Sequence, residues 1–148
     1  MGTNSITYQL PNNDRQLIIF GIQIDVPVTN KNKKSFQAMA VIDTGATGTS
    51  ISQRFAVNAQ LKAYKRTKIH GFDKVSIVPV YIVDIILPNG IEFKNVKVAQ
   101  FNTKFDFDCI IGMDILCKGD MALTNANNEM VFTFRIPPSD THIDFQKQ

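Results

Sequence analysis

Residues 38–46 read AMAVIDTGA, an apolar run that ends in an aspartate on a glycine turn. A run of five apolar residues is typical of a strand buried on both faces, so Asp43 is expected at the end of a packed strand and only partly hydrated. The N–H groups of Gly45 and Ala46 can donate to its charged carboxylate, and Gly45 also permits close approach and unusual backbone angles. The Thr44 hydroxyl can bond to neighbouring backbone or to a partner loop.

A second apolar segment follows at residues 109–114, which read CIIGMD. This pattern predicts a buried strand that ends at Gly112, followed by a short helix over Met113–Lys118. Gly119 is expected to end that helix in the left-handed conformation. We expect Asp114 to hydrogen-bond near the helix start and to take no part in catalysis.

The Asp-Thr-Gly turn occurs once in the chain, because none of the other twelve of the 13 acidic residues begins such a turn. Peptide hydrolysis by carboxyl groups requires two of them sharing one proton, so that one activates water while the other polarises the carbonyl. The second carboxyl of such a site would therefore come from a second copy of the chain.

The two segments together resemble the retropepsins, the single-lobed aspartic proteases that include the retroviral enzymes. Residues 38–46 are similar to the family's first strand and catalytic turn, and Ile110, Ile111 and Gly112 to its second apolar-glycine element. The continuation Met113–Leu116 is more similar to cellular and bacterial members than to viral ones. The resemblance implies an all-β fold, a closed retropepsin-like barrel with one short helix after Gly112, acting as an obligate or functional homodimer.

The resemblance also implies roles for individual residues. Asp43 would be catalytic, sharing a proton with Asp43 of the second copy, in an active-site loop of Thr44, Gly45 and Ala46. The substrate would be an extended polypeptide with large hydrophobic side chains beside the cleaved bond. The family's flap hairpin corresponds in position to Ile69, His70, Gly71 and Phe72.

Two positions differ from the viral pattern. Retroviral members carry an acidic residue just after the catalytic turn and an arginine just after the second glycine, paired in support of the dimer. Thr47 and Met113 occupy these positions. Both charges are absent together, so neither is left buried and unpaired, and the dimer strength does not follow from the resemblance. We expect Met121–Arg135 to contribute much of the subunit contact.

Other functions agree less well with the sequence. Residues 42–50 also resemble the phosphate loops of sugar kinases and actin, but those proteins need two large lobes and a second phosphate loop. The only histidines are His70 and His142, which leaves no histidine cluster for a metal or a nucleophile, and no cofactor is expected. The remaining alternative is a catalytically inactive dimer of the same fold that binds peptides or acts as a scaffold.

Length and composition indicate one small domain. The chain has 148 residues, 44% of them hydrophobic, and a net charge of only +3, which gives no reason to expect nucleic acid. Cys109 and Cys117 are expected to be reduced core thiols. No signal peptide or apolar membrane span is recognisable, so a cytoplasmic location without membrane contact is expected. The domain is predicted at 16–136, after an N-terminal extension at 1–15 and before a polar tail at 137–148.

The rest of the pattern predicts short strands joined by turns. Residues 52–61 are left open between a short helix and an irregular turn. Asn89-Gly90 is a signal for a tight hairpin. The predicted strands are 16–26, 35–42, 49–51, 65–69, 74–78, 80–87, 91–98, 110–111, 121–124 and 130–135.

Overall fold

The computed structural model describes residues 4–10, 17–71 and 73–147. Phe72, predicted as a flap residue, lies outside the described residues. Ten strands and two short α-helices are present among those described. The elements are β1 (Asn4–Leu10), β2 (Ile19–Pro27), β3 (Lys33–Ile42), β4 (Ser50–Ser52), α1 (Gln53–Asn58), β5 (Lys65–His70), β6 (Val75–Ile86), β7 (Glu92–Phe101), β8 (Cys109–Ile111), α2 (Met113–Leu116), β9 (Asp120–Thr124) and β10 (Met130–Ile136).

Six strands close into a barrel in the order β2-β3-β8-β4-β7-β6, and β6 pairs back onto β2. Closure removes the exposed edges that an open sheet would present. Strand β2 shows why the sequence folds this way, since its alternate residues from Phe20 to Val26 are buried in the barrel core and those between them are less so. The predicted all-β class and the short helix after Gly112 are confirmed.

A three-stranded antiparallel sheet, in the order β1-β10-β9, packs against the barrel. Ile6, Phe132 and Phe134 of this sheet are buried in the same hydrophobic core as the barrel strands. The ring of Phe132 stacks on that of Phe20, with 5.9 Å between centroids. Residues 4–10, assigned to an extension from the sequence, thus form a strand paired with β10.

Strand β6 differs from the prediction, which placed two strands on either side of Pro79. It is one strand of 12 residues that runs through Pro79. Proline cannot donate a hydrogen bond, but Pro79 pairs only with Arg66 of β5, and pairing with β7 begins at Val80. The first half of β6 forms a hairpin with β5, in which the Gly71 N–H donates to the Lys74 carbonyl at 2.9 Å.

The other local predictions have mixed outcomes. Residues 53–58 form helix α1. Ser52 caps its N-terminus, and the Ser52 hydroxyl accepts the Phe55 N–H at 3.0 Å. The hairpin at Asn89-Gly90 is present, and a 3-10 turn with Gly90 at φ +77° closes it. The left-handed conformation expected of Gly119 is wrong, because Gly90 is the one glycine of positive φ among those described. A Cβ at Gly119 would instead overlap the Arg135 carbonyl oxygen.

A buried carboxylate joins two strands that flank β2. Asp84 lies on β6 with its side chain 3% exposed, and it forms an ion pair with Lys33 of β3. Burial alone would raise the pKa of Asp84, but the Lys33 ammonium and the Asn95 N–H, which donates at 2.9 Å, hold that pKa below its ordinary value. No helix among the described residues is long and apolar enough to span a bilayer.

Candidate active site

Asp43 lies where β3 leaves the barrel core. Strand β8 runs parallel to β3 on one side and antiparallel to β4 on the other, so it is inserted between the strands before and after the Asp43 turn. The Asp43 N–H donates to the Ile111 carbonyl at 3.0 Å. The two motifs that are 69 residues apart in sequence, at Asp43 and Gly112, are therefore neighbours in space.

The Asp43 side chain is held by its own turn. Its Oδ1 accepts the Gly45 N–H at 2.8 Å, as expected from the sequence. The Ala46 N–H donates instead to the main-chain carbonyl of Asp43, at 3.2 Å. A Cβ at Gly45 would lie 3.2 Å from that Oδ1, so glycine leaves room beside the carboxylate. Asp43 is exposed in the single chain, so it is more hydrated there than the sequence predicted.

Thr44 is also exposed on this turn. Its hydroxyl makes no hydrogen bond to any of the described residues. The sequence predicted a bond either to neighbouring backbone or to a partner loop, and the first of these is absent from the described part of the chain. The hydroxyl is thus available to a group outside the described chain.

Gly112 is required by the packing of the loop. A Cβ there would lie 2.7 Å from the carbonyl carbon and oxygen of Gly48 and 2.8 Å from the Ala46 oxygen, closer than real Cβ contacts. The next N–H, of Met113, donates to the Ala46 carbonyl at 2.8 Å. Close approach at Gly112 thus lets the start of α2 hydrogen-bond directly to the loop of residues 43–49, here called the Asp43 loop.

A buried hydroxyl completes this connection. Thr49 is 2% exposed; its Oγ1 donates to Asp114 Oδ1 at 2.7 Å and accepts the Gly112 N–H at 3.1 Å. The same Oδ1 accepts the Ile115 N–H at 2.9 Å. Asp114 therefore has the hydrogen-bonding role expected of it, at the start of α2. This role of Thr49 was not predicted, because the sequence indicates only that residues 49–51 form a strand and gives no local signal for the contact with Asp114.

The predicted flap residues lie across a cavity from this loop. The cavity has a volume of about 630 Å³, and residues 45–50 form one wall while Ile69 and His70 belong to the other. A neighbouring cavity of about 500 Å³ is lined by Ile69, Gly71 and Phe101. The β5–β6 hairpin therefore overhangs the space beside the Asp43 loop.

The remaining predicted residues are placed as follows. Ile111 and Gly112 are buried next to the turn, whereas Ile110 is half-buried. Thr47 and Met113, which replace the viral ion pair, are both exposed, and the Thr47 carbonyl accepts the Asp114 N–H at 3.2 Å. Among the described residues, no group of three or more His, Cys, Asp or Glu side chains could hold a metal ion.

This arrangement is that of a retropepsin-like aspartic protease: a closed barrel in which an apolar-apolar-glycine strand supports an Asp-Thr-Gly turn. A family model described as "gag-polyprotein putative aspartyl protease" matches residues 28–118, more than half of the chain. The chain belongs to this family, as the sequence predicted.

A solved structure has the same fold. The crystal structure of a retropepsin-like aspartic protease from Rickettsia conorii matches with a TM-score of 0.58 and 13% sequence identity, over 91% of this chain and 96% of that chain. At this identity, the likeness is one of fold. Comparison with curated proteins finds no match.

Proposed function

We propose that this protein is an aspartic endopeptidase that works as a homodimer. The observation that carries the proposal is the state of Asp43, an exposed carboxylate on a tightly supported turn. Within the described part of the chain, its side chain has no hydrogen bond to another carboxyl group. A twofold axis at this turn would bring the second Asp43 to it and supply the missing carboxyl.

The proposed reaction is hydrolysis without a covalent intermediate. One Asp43 is ionised and takes a proton from a water molecule, which attacks the peptide carbonyl carbon, while the other Asp43 donates its proton to the carbonyl oxygen. The tetrahedral intermediate then breaks its C–N bond as a proton passes to the leaving amine. The products are a carboxylic acid and an amine, and the pair regains its single shared proton.

The three-stranded sheet supports dimer formation. Among the described residues, β9 pairs only with β10 and so presents an open edge. Met121 and Leu123 on this strand are 45% and 47% exposed, so the open edge carries two accessible apolar side chains. This agrees with the proposal that Met121–Arg135 contributes much of the subunit contact. The available Thr44 hydroxyl would bond to the partner's loop.

The substrate proposed is an extended polypeptide with large hydrophobic side chains at the cleaved bond. The β5–β6 hairpin would act as the flap, covering the peptide and pairing with its backbone, as extended peptides pair with exposed strands. Ile69 and Phe101 border both cavities beside the hairpin and supply apolar surface. We also propose a cytoplasmic location, since Cys109 and Cys117 are both free thiols. Cys109 is buried as expected, whereas the expectation of a core thiol is wrong for Cys117, which is exposed.

The test compares cleavage of an unfolded protein by the wild type and by Asp43→Asn across pH 3–8. Asp140→Asn is the matched control, because Asp140 is an exposed carboxyl in the C-terminal tail. We expect Asp43→Asn to lose at least about 10³-fold in kcat/KM and Asp140→Asn to keep the wild-type value. A bell-shaped pH profile would report the carboxyl pair.

Equal activity in Asp43→Asn and the wild type would exclude the mechanism. Sedimentation provides a second test, because a protein that stays monomeric at high concentration with a transition-state mimic cannot form the pair. A dimer that binds peptides but cleaves none would instead identify the catalytically inactive peptide-binding or scaffold module.

A further inference from the structure

The cavity between the Asp43 loop and the β5–β6 hairpin is basic. Lys65 and Lys68 of β5 and Lys97 of β7 line it, and all three side chains are exposed. None of the three forms an ion pair with another described residue, and no carboxylate is among the described residues that line the cavity. Three cations thus face a space to which none of the described lining residues contributes a negative charge.

The β5–β6 hairpin, which supplies two of these lysines, carries a net positive charge. Residues 65–78 contain four lysine or arginine residues and one carboxylate, Asp73, a net charge of +3 that equals the net charge of the whole chain. The rest of the chain is therefore neutral overall. A cleft with one sign of charge attracts ligands of the opposite sign, and its low-dielectric walls strengthen the effect.

Two of the lysines are held close to one ring. The Nζ atoms of Lys65 and Lys97 lie 5.9 and 5.7 Å from the centroid of the Tyr64 ring. Cation–π contacts of this kind stabilise ammonium groups near an aromatic face. Holding two like charges beside the same ring creates a local excess of positive charge that an anion would relieve.

We propose that this cavity binds a carboxylate side chain of the substrate, aspartate or glutamate, within about four residues of the cleaved bond. The inference rests on the proposed function and specifies its substrate class. The position follows from Gly45, which lines the cavity and whose N–H donates to the Asp43 carboxylate. An extended peptide advances about 3.3 Å per residue, so residues close to the cleaved bond reach the cavity.

Symmetry adds a second expectation. The cavity is built from one chain, and a homodimer with Asp43 on its axis has two of them, one on each side of the cleaved bond. An acidic side chain is therefore favoured at a position before the bond and at the related position after it.

The experiment uses a series of fluorogenic peptides with one hydrophobic pair at the cleaved bond. A single glutamate is placed in turn at each of the four positions on either side, and each peptide is compared with its glutamine counterpart. We expect kcat/KM to be roughly fivefold higher for glutamate at the favoured positions, as suits one exposed ion pair, and the gain to shrink in 1 M salt. Equal values at every position overturn the inference while leaving the protease function intact.

Charge reversal identifies the residues responsible. Lys68→Glu and Lys97→Glu are expected to abolish or invert the glutamate preference, whereas Lys62→Glu keeps it, because Lys62 is exposed outside this cavity. All three variants change the net charge equally, so a general charge effect would move them together. If Lys62→Glu and Lys68→Glu lose the preference equally, the cavity is not its source.

A binding measurement separates the inference from the catalytic proposal. The affinity of a non-cleavable peptide, with a reduced bond at the hydrophobic pair, is measured by calorimetry in glutamate and glutamine forms. Tighter binding of the glutamate form supports the basic cavity even if no peptide is cleaved. Equal affinities contradict the inference whether or not cleavage occurs.

Discussion

Replacing Thr49 by valine is expected to weaken the connection between the Asp43 loop and helix α2. Valine has nearly the same shape as threonine but lacks the hydroxyl that donates to Asp114 at 2.7 Å and accepts the Gly112 N–H at 3.1 Å. Since Thr49 is 2% exposed, water has little access to replace it. The substitution therefore removes one hydrogen-bonding group and leaves two partners without it.

The expected loss follows from those two partners. An unsatisfied buried N–H, here that of Gly112, costs about 1–3 kcal/mol. The Asp114 carboxylate loses one charge-assisted bond, but it is half-buried and keeps the Ile115 N–H, so we assign about 1 kcal/mol to that loss. Together, Thr49→Val should lower the free energy of unfolding by about 2–4 kcal/mol, a large share of the ~5–15 kcal/mol typical of a domain.

Urea unfolding at one fixed protein concentration measures this change, because association would make the midpoint depend on concentration. The control is Thr49→Ser, which keeps the hydroxyl and loses one buried methyl group, a cost of about 1 kcal/mol. Two results would refute this prediction. One is an equal free energy of unfolding for Thr49→Val and Thr49→Ser, and the other is a free energy of unfolding for Thr49→Val within about 0.5 kcal/mol of the wild-type value.

Two further predictions concern packing and pH. Gly112→Ala should destabilise the protein by at least about 2 kcal/mol in a thermal melt, because the new Cβ would meet main-chain atoms at 2.7 Å. The control is Gly48→Ala, whose Cβ would have nothing within 4 Å and which should change stability by less than about 1 kcal/mol. Equal losses in the two variants would contradict this prediction. Because the pKa of Asp84 is lowered in the folded state, its contribution to stability is present above the unfolded pKa of about 3.9 and is lost as pH falls through the folded value. Urea unfolding between pH 2 and 7 should show a shallower acid loss in Asp84→Asn than in the wild type, and parallel curves would count against the Lys33 pair as the cause.

The predictions that succeeded depend on contiguous residues. The apolar run of 38–42 and the pair Ile110-Ile111 identify β3 and β8. The expectation that this run is buried on both faces is wrong at Met39, which is 42% exposed in the single chain. The Gly45 N–H reaches the Asp43 carboxylate within the same turn, so local chemistry was enough. Residues 52–61 stayed open between helix and turn in the sequence, and the structure decides for helix α1, which Ser52 caps through the Phe55 N–H.

The failures depend on residues far apart in sequence. Gly119 was expected to be left-handed because it follows a helix, but the space it leaves is taken by the backbone of Arg135. Pro79 was read as a break between strands, but it lies where β6 has a partner on one side only. Thr49 contacts Asp114, 65 residues away, and local patterns do not reveal such a contact. Each depends on which segments become neighbours, in the barrel, in the β5–β6 hairpin or in the three-stranded sheet.

Continuity of β6 determines how the proposed flap would be lifted. The hairpin shares this strand with the barrel, and Val80, directly after Pro79, is already buried. Movement of the hairpin therefore has to twist an anchored strand, since no loop separates the two parts. Pro79 has no N–H to hold that point, so it is where such a twist would break the fewest hydrogen bonds. Access to the cleft would then be coupled to the packing of the barrel core. A substitution of a core residue packed against Val80 would change how fast peptides enter the cleft, without any contact with the Asp43 turn.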